Sequence, residues 1–133
     1  MTIEERLRDL RGTEERIGRI RLRIRALEDE VTRVTVRLDA VPGGGGQSDR
    51  IAGAVAQIVD LQEKLLRRIG RLEAARQELE DLIDELPPQQ RDVLYARYVE
   101  GKGWNRVARE LHYDARYVFK IHRAALQRLK RGQ

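Results

Sequence analysis

Arg116, Tyr117, Lys120 and Arg123 are spaced so that a helix brings them together on one face. Val118, Ile121, Ala125 (or Leu126) and Leu129 recur between them at three- and four-residue steps, the stripe that a helix turns inward. The four polar residues therefore project outward. An arginine donates bidentately to guanine O6 and N7, and lysine reaches the same acceptors. Tyr117 suits stacking on a sugar or contact with a thymine methyl. Lys102, Asn105, Arg106 and Arg109 ahead of this helix, and Arg128, Lys130 and Arg131 at its end, are placed for phosphates. Such contacts fix position and carry no sequence information.

The charge distribution agrees with that chemistry. The chain has 133 residues and a net charge of +5. Residues 101–133 carry nine Lys/Arg and two acids, a net of +7, whereas residues 1–100 carry 18 basic and 20 acidic residues, a net of −2. A concentrated basic tail is the electrostatic footprint of a polyanion partner. The nearly balanced remainder reads as a solvated helical surface.

Three short helices fit the C-terminal part. The first covers about 88–100, with Val93, Leu94, Ala96, Arg97 and Tyr98 inward. Gly101-Lys102-Gly103 is a turn. The second covers Trp104–Leu111 and turns Trp104, Val107, Ala108 and Leu111 to one side. His112-Tyr113-Asp114 is a tight turn whose Asp114 caps the third helix, from Ala115 to about Lys130. Helix, three-residue turn, helix is the layout of a helix-turn-helix, which sets the N-terminal part of its last helix in the major groove of duplex DNA.

On Leu86–Leu94 through Tyr98, then Gly103–Leu111, then Val118–Leu129, the sequence resembles region 4 of sigma-70-type factors. It looks most like small phage-encoded regulators of late transcription of the ArpU and RinA kind. Tyr117-Val118-Phe119-Lys120-Ile121-His122-Arg123-Ala124-Ala125-Leu126 is the most specific part. The resemblance implies base reading by Ala115, Arg116, Phe119 and Lys120. Ala115 and Phe119 depart from the pattern, Ala115 because it reaches little. Gly103 replaces a better cap. Asn105 and Arg106 replace acids, which adds a phosphate contact and removes acids that would meet RNA polymerase.

Upstream, two long helices are expected. Thr2 and Glu5 form a capping-box pattern. Helix one is expected from Thr2 to about Leu38 along Ile3, Leu7, Leu10, Ile17, Ile20, Ile24, Leu27, Val31 and Val34, with an interrupted seam near Thr13 and Glu14. Helix two is expected over 49–86 along Ile51, Val55, Ile58, Leu65, Ile69, Leu72, Leu79, Ile83 and Leu86, with Gln62 and Arg76 on the same stripe. From Ile17 onward the steps alternate near three and four, a coiled-coil seam. A glycine-rich connector, 42–47, lacks the Gly-Lys-Ser/Thr ending of a phosphate loop. Pro87-Pro88 ends helix two.

The expected fold is all-α: a long antiparallel helical hairpin over 1–86, then a three-helix helix-turn-helix domain over 87–133. Leu22, Leu61, Leu66 and Leu82 lie beside the seam, so the hairpins are expected to pair as a homodimer or higher oligomer. There is no cysteine, no apolar leader and no long apolar run. These features predict neither disulfide nor membrane span, and a cytoplasmic protein near the nucleoid of a bacterial host. His112 and His122 are too few for a metal site and read as turn and surface residues. No catalytic arrangement stands out, and no cofactor is expected. The expected function is a sequence-specific, double-stranded DNA-binding transcription regulator of phage or prophage origin. The alternatives are a small terminase-like packaging protein and a sigma-like adaptor docking on host RNA polymerase.

Overall fold

The structure, a computed structural model, describes residues 1–40 and 45–132, with the side chains of 38–40 and 45–48 left aside. Every described element is helical: α1 (Ile3–Leu10), α2 (Thr13–Ala40), α3 (Gly45–Asp84), α4 (Pro88–Leu94), α5 (Trp104–Leu111) and α6 (Ala115–Arg131). A π-helical turn, Tyr95–Val99, prolongs α4.

The chain divides into two compact units, residues 1–14 with 73–133, and residues 15–72. This differs from the expected boundary at Leu86. The first unit takes in the N-terminal helix because Ile3, Leu7 and Leu10, at i, i+4 and i+7, form a buried apolar stripe on α1. That stripe packs in one core with Leu79, Ile83 and Leu86, with Leu94 and Tyr98, and with Ala125 and Leu129. A second core joins Val93 and Ala96 to Val107 and Ala108 of α5 and to Val118 and Ile121 of α6. The α4–π segment and α6 are thus common to both cores.

Helix one is also broken where continuity was expected. The Thr2–Glu5 capping box forms, with Thr2 N donating to Glu5 Oε2 at 2.9 Å and Glu5 N donating to Thr2 Oγ1 at 3.1 Å. After Leu10, however, Arg11 is extended and Gly12 takes φ +90°. Glycine reaches that conformation without a Cβ clash. Thr13 opens α2, is buried, and donates from Oγ1 to Asp9 O at 3.0 Å. The interrupted seam near Thr13 is therefore a chain break between two helices.

In the second unit, Ile17, Ile20 and Ile24 of α2 share a core with Ile69, Leu65 and Leu72 of α3. Gln62, on the α3 stripe, donates from Nε2 to Ile24 O at 3.4 Å. Ile51, Val55 and Ile58 are only half-buried, as are Val31 and Val34. Within the expected 42–47 connector, Gly45, Gly46 and Gln47 belong to the first turn of α3, where the N–H groups need no intrahelical acceptor. Residues 42–44 lie outside the described residues. No described helix is long and apolar enough to cross a membrane.

Leu7 is fully buried, and Arg19 is exposed. Leu7→Ala is expected to lower unfolding free energy by about 2–5 kcal/mol in a urea melt, and Arg19→Ala by no more than about 0.5 kcal/mol. Equal small effects would remove α1 from the first core.

Candidate nucleic-acid interface

α5 and α6 are joined by three residues. His112 adopts the left-handed conformation, φ 59°, and its N–H bonds back to Ala108 O and Arg109 O. Tyr113 N donates to Ala108 O at 2.9 Å. Asp114 Oδ1 then accepts from Arg116 N at 2.7 Å, which caps α6. A capping carboxylate at this end also complements the positive end of the helix dipole. Gly103 starts α5 with no side-chain cap.

α6 buries Val118, Ile121, Ala125 and Leu129. Arg116, Lys120 and Arg123 are exposed, and among the described residues their side chains make no ion pair. Tyr117, also exposed, is more constrained. Its hydroxyl donates to Gln89 Oε1 at 3.3 Å, and its ring meets Tyr113 edge-on at 5.1 Å between centroids. Gln89 Nε2 in turn donates to Tyr113 Oη at 3.3 Å, so α4 braces the base of the exposed face.

The residues expected at phosphates divide into two groups. Asn105, Arg109, Arg128 and Arg131 are exposed, and the three arginines form no ion pair among the described residues. Lys102, Arg106 and Lys130 already have carboxylate partners. Lys102 Nζ lies 2.6 Å from Glu100 and 2.5 Å from Glu110, with its side chain only 17% exposed. Lys102, expected at phosphate, has its ammonium held between two acids. Arg106 pairs with Glu110 at 2.9 Å, and Lys130 with Glu4 at 2.5 Å. Hydrogen bonds from Lys102 and then Arg106 hold the Glu110 carboxyl down to about 2. Bonds to Glu100 and Glu110 raise the Lys102 ammonium.

A cluster beside the face went unread in the sequence. Arg97 Cζ lies 4.5 Å from the Trp104 ring centroid. The Trp104 ring meets Phe119 at 5.1 Å and His122 edge-on at 4.7 Å. A 2.7 Å hydrogen bond joins Tyr98 Oη and His122 Nε2. His122 is therefore a half-buried bridge and not the surface residue expected. Phe119 remains 46% exposed at the edge of the cluster. Residues 97 and 104 face residues 119 and 122 only after the chain folds back, so no local spacing signals them. Burial and then the Arg97 charge push the imidazole below its ordinary range. Among the described residues no three His, Asp or Glu converge as metal ligands.

These features define an all-helical protein with a cationic, acid-free face on its last helix. The chain belongs to the DUF722 family, described as a protein of unknown function, whose model matches residues 16–131. No curated protein and no solved structure matches it.

Glu110 and His122 make stability depend on pH in the same direction. Glu110 is lowered, so its contribution is complete above the ordinary carboxylate value and is lost as pH falls toward 2. His122 is lowered too, so the unfolded chain takes up its proton first and stability declines as pH falls through the ordinary histidine value. NMR titration is expected to find Glu110 ionised down to about pH 2 and His122 neutral through its ordinary range. Lys102→Met should raise the Glu110 midpoint; an unmoved midpoint would remove the ion pair from the account.

Proposed function

We propose that the chain is a sequence-specific, double-stranded DNA-binding transcription regulator. The observation that carries this reading is the unpaired set Arg116, Lys120 and Arg123 on the exposed face of a helix capped just after a three-residue turn. In this reading α5 and α6 form a helix-turn-helix, with the N-terminal half of α6 in the major groove. Arg116 and Lys120 read bases, with Arg123 and the braced Tyr117 beside them. Asn105, Arg109, Arg128 and Arg131 bind phosphates, joined by Arg106 once it is released from Glu110. The resemblance to ArpU- and RinA-like regulators supports phage or prophage origin and a place on the bacterial nucleoid; docking on host RNA polymerase belongs to the alternative adaptor reading.

The long helices α2 and α3 supply the second half of the proposal, an antiparallel hairpin. Its faces carry exposed Leu22, Val36, Val59 and Leu66. In this reading Leu22 and Leu66, beside the coiled-coil seam, supply contact with a second copy. The C-terminal units then act in pairs on two half-sites, as dimeric helix-turn-helix proteins do. A dimer by solution mass supports regulation, whereas a ring of eight or more subunits would favour a packaging protein.

Footprinting on duplex DNA is expected to find a protected site. Replacing Arg116 and Lys120 together by Ala should relax discrimination by about 1–3 kcal/mol per lost base contact. Arg109→Ala should weaken all duplexes alike and reduce the salt dependence by about one phosphate's worth. Equal affinity for every duplex, with or without Arg116 and Lys120, would sink the sequence-specific reading.

A further inference from the structure

To one side of the exposed face of α6 lies an open cleft of about 520 Å³. Its walls come from α1, the π turn, the start of α5 and the flank of α6. His122 and Leu126, which line it, stand roughly a third of a turn from Arg116 and Lys120 around the helix. The lining holds three guanidiniums, Arg8 and Arg11 from the α1 end and Arg97 from the π turn.

Those cations have little to balance them. Glu4 is the only carboxylate in the lining, and it pairs with Lys130 at 2.5 Å while standing 4.0 Å from Arg8. Arg11 Nη2 reaches a neutral acceptor, Gly101 O, at 3.5 Å. Arg97 Nη1 donates to another, Lys102 O, at 3.1 Å. Arg97 Nε is buried and has no hydrogen-bond partner. An unsatisfied buried donor is costly, and a half-buried guanidinium beside a second cation adds repulsion. The Arg97 guanidinium is in fact lowered, first by burial and then by Arg11.

The shape of the charge selects the ligand. Forks arriving from separate elements suit an anion whose oxygens point in several directions. A lone carboxylate fills one fork. An aromatic ligand finds no free platform, since Arg97 covers the Trp104 face and His122 meets its ring. We propose that this cleft binds a phosphoryl dianion, inorganic phosphate or the phosphate of a small monoester, between Arg8, Arg11 and Arg97. The site does not rest on DNA binding by the α6 face, although a backbone phosphodiester, a monoanion with two free oxygens, is a second source of phosphate oxygens.

Trp104 is the single tryptophan of the chain and touches Arg97, so its fluorescence reports the site directly. The full chain would be titrated with sodium phosphate, and with sodium chloride at equal ionic strength. A saturable change with phosphate alone is expected. Arg8 and Arg11 are exposed, so Arg8→Gln with Arg11→Gln leaves the core intact. This pair should weaken binding about a hundredfold or more, the loss of two charge-assisted hydrogen bonds. Arg19→Gln, in the other unit, should leave it unchanged. No saturable change, or one undiminished by the Arg8/Arg11 replacements, overturns the proposal. A duplex that displaces phosphate identifies the backbone as a source, and phosphate retained beside bound duplex identifies a separate small-molecule site. A phosphate response in a protein that binds no duplex supports the cleft and removes only the regulator reading.

Discussion

The apolar stripe of α6 is the constraint on which the C-terminal unit depends. Val118 and Ile121 close one core, and Ala125 and Leu129 close the other. Beyond the α4–π segment that both share, each core has its own partner: α5 in one, α1 with the end of α3 in the other. Because one helix serves both, its rotation is fixed from two directions. A turn of the helix that improved one core would expose side chains in the other. The orientation of Arg116, Lys120 and Arg123 is therefore determined by residues that never reach the surface.

Much of this was legible because helical periodicity records burial. The expected stripe of α6 is the buried one, and α5 spans the expected residues, Trp104–Leu111. The Asp114 cap was readable because a short carboxylate just ahead of a helix has few better acceptor roles. The break after α1 was less readable. Ile3, Leu7 and Leu10 continue in phase with Ile17 closely enough to suggest one seam, and only Gly12 and Thr13 mark the interruption. Nothing in periodicity says that α1 packs with Leu79, Ile83 and Ala125, since that contact spans the length of the chain. The expected boundary at the prolines therefore groups α1 with the long helices, whereas the contacts group it with the C-terminal helices. Prolines interrupt a helix, but a core forms across whatever the chain brings together.

The site was legible in outline and less so in its pairings. Spacing places Arg116 and Lys120 on a common face, and the structure leaves both exposed. Spacing also pairs Arg106 with Glu110, four residues on, although the expectation gave Arg106 to phosphate. The capture of Lys102 by Glu100 and Glu110 requires the turn at Gly101–Gly103 to fold back, a tertiary event. The Arg97–Trp104–His122 cluster is of the same kind.

Net charge overstates the field that a ligand would meet. Of the nine cations in residues 101–133, Lys102, Arg106 and Lys130 are engaged by carboxylates. Asp114, the last acid in the chain, faces its own helix end. The six others, Arg109, Arg116, Lys120, Arg123, Arg128 and Arg131, follow or precede it with no acid on α6 to answer them. An uninterrupted run of cations along an otherwise well-packed helix opposes folding by mutual repulsion, and solvent screening relieves only part of it. The buried stripe, held by both cores, is what offsets that repulsion. The cationic face is thus a charge repulsion that the fold carries.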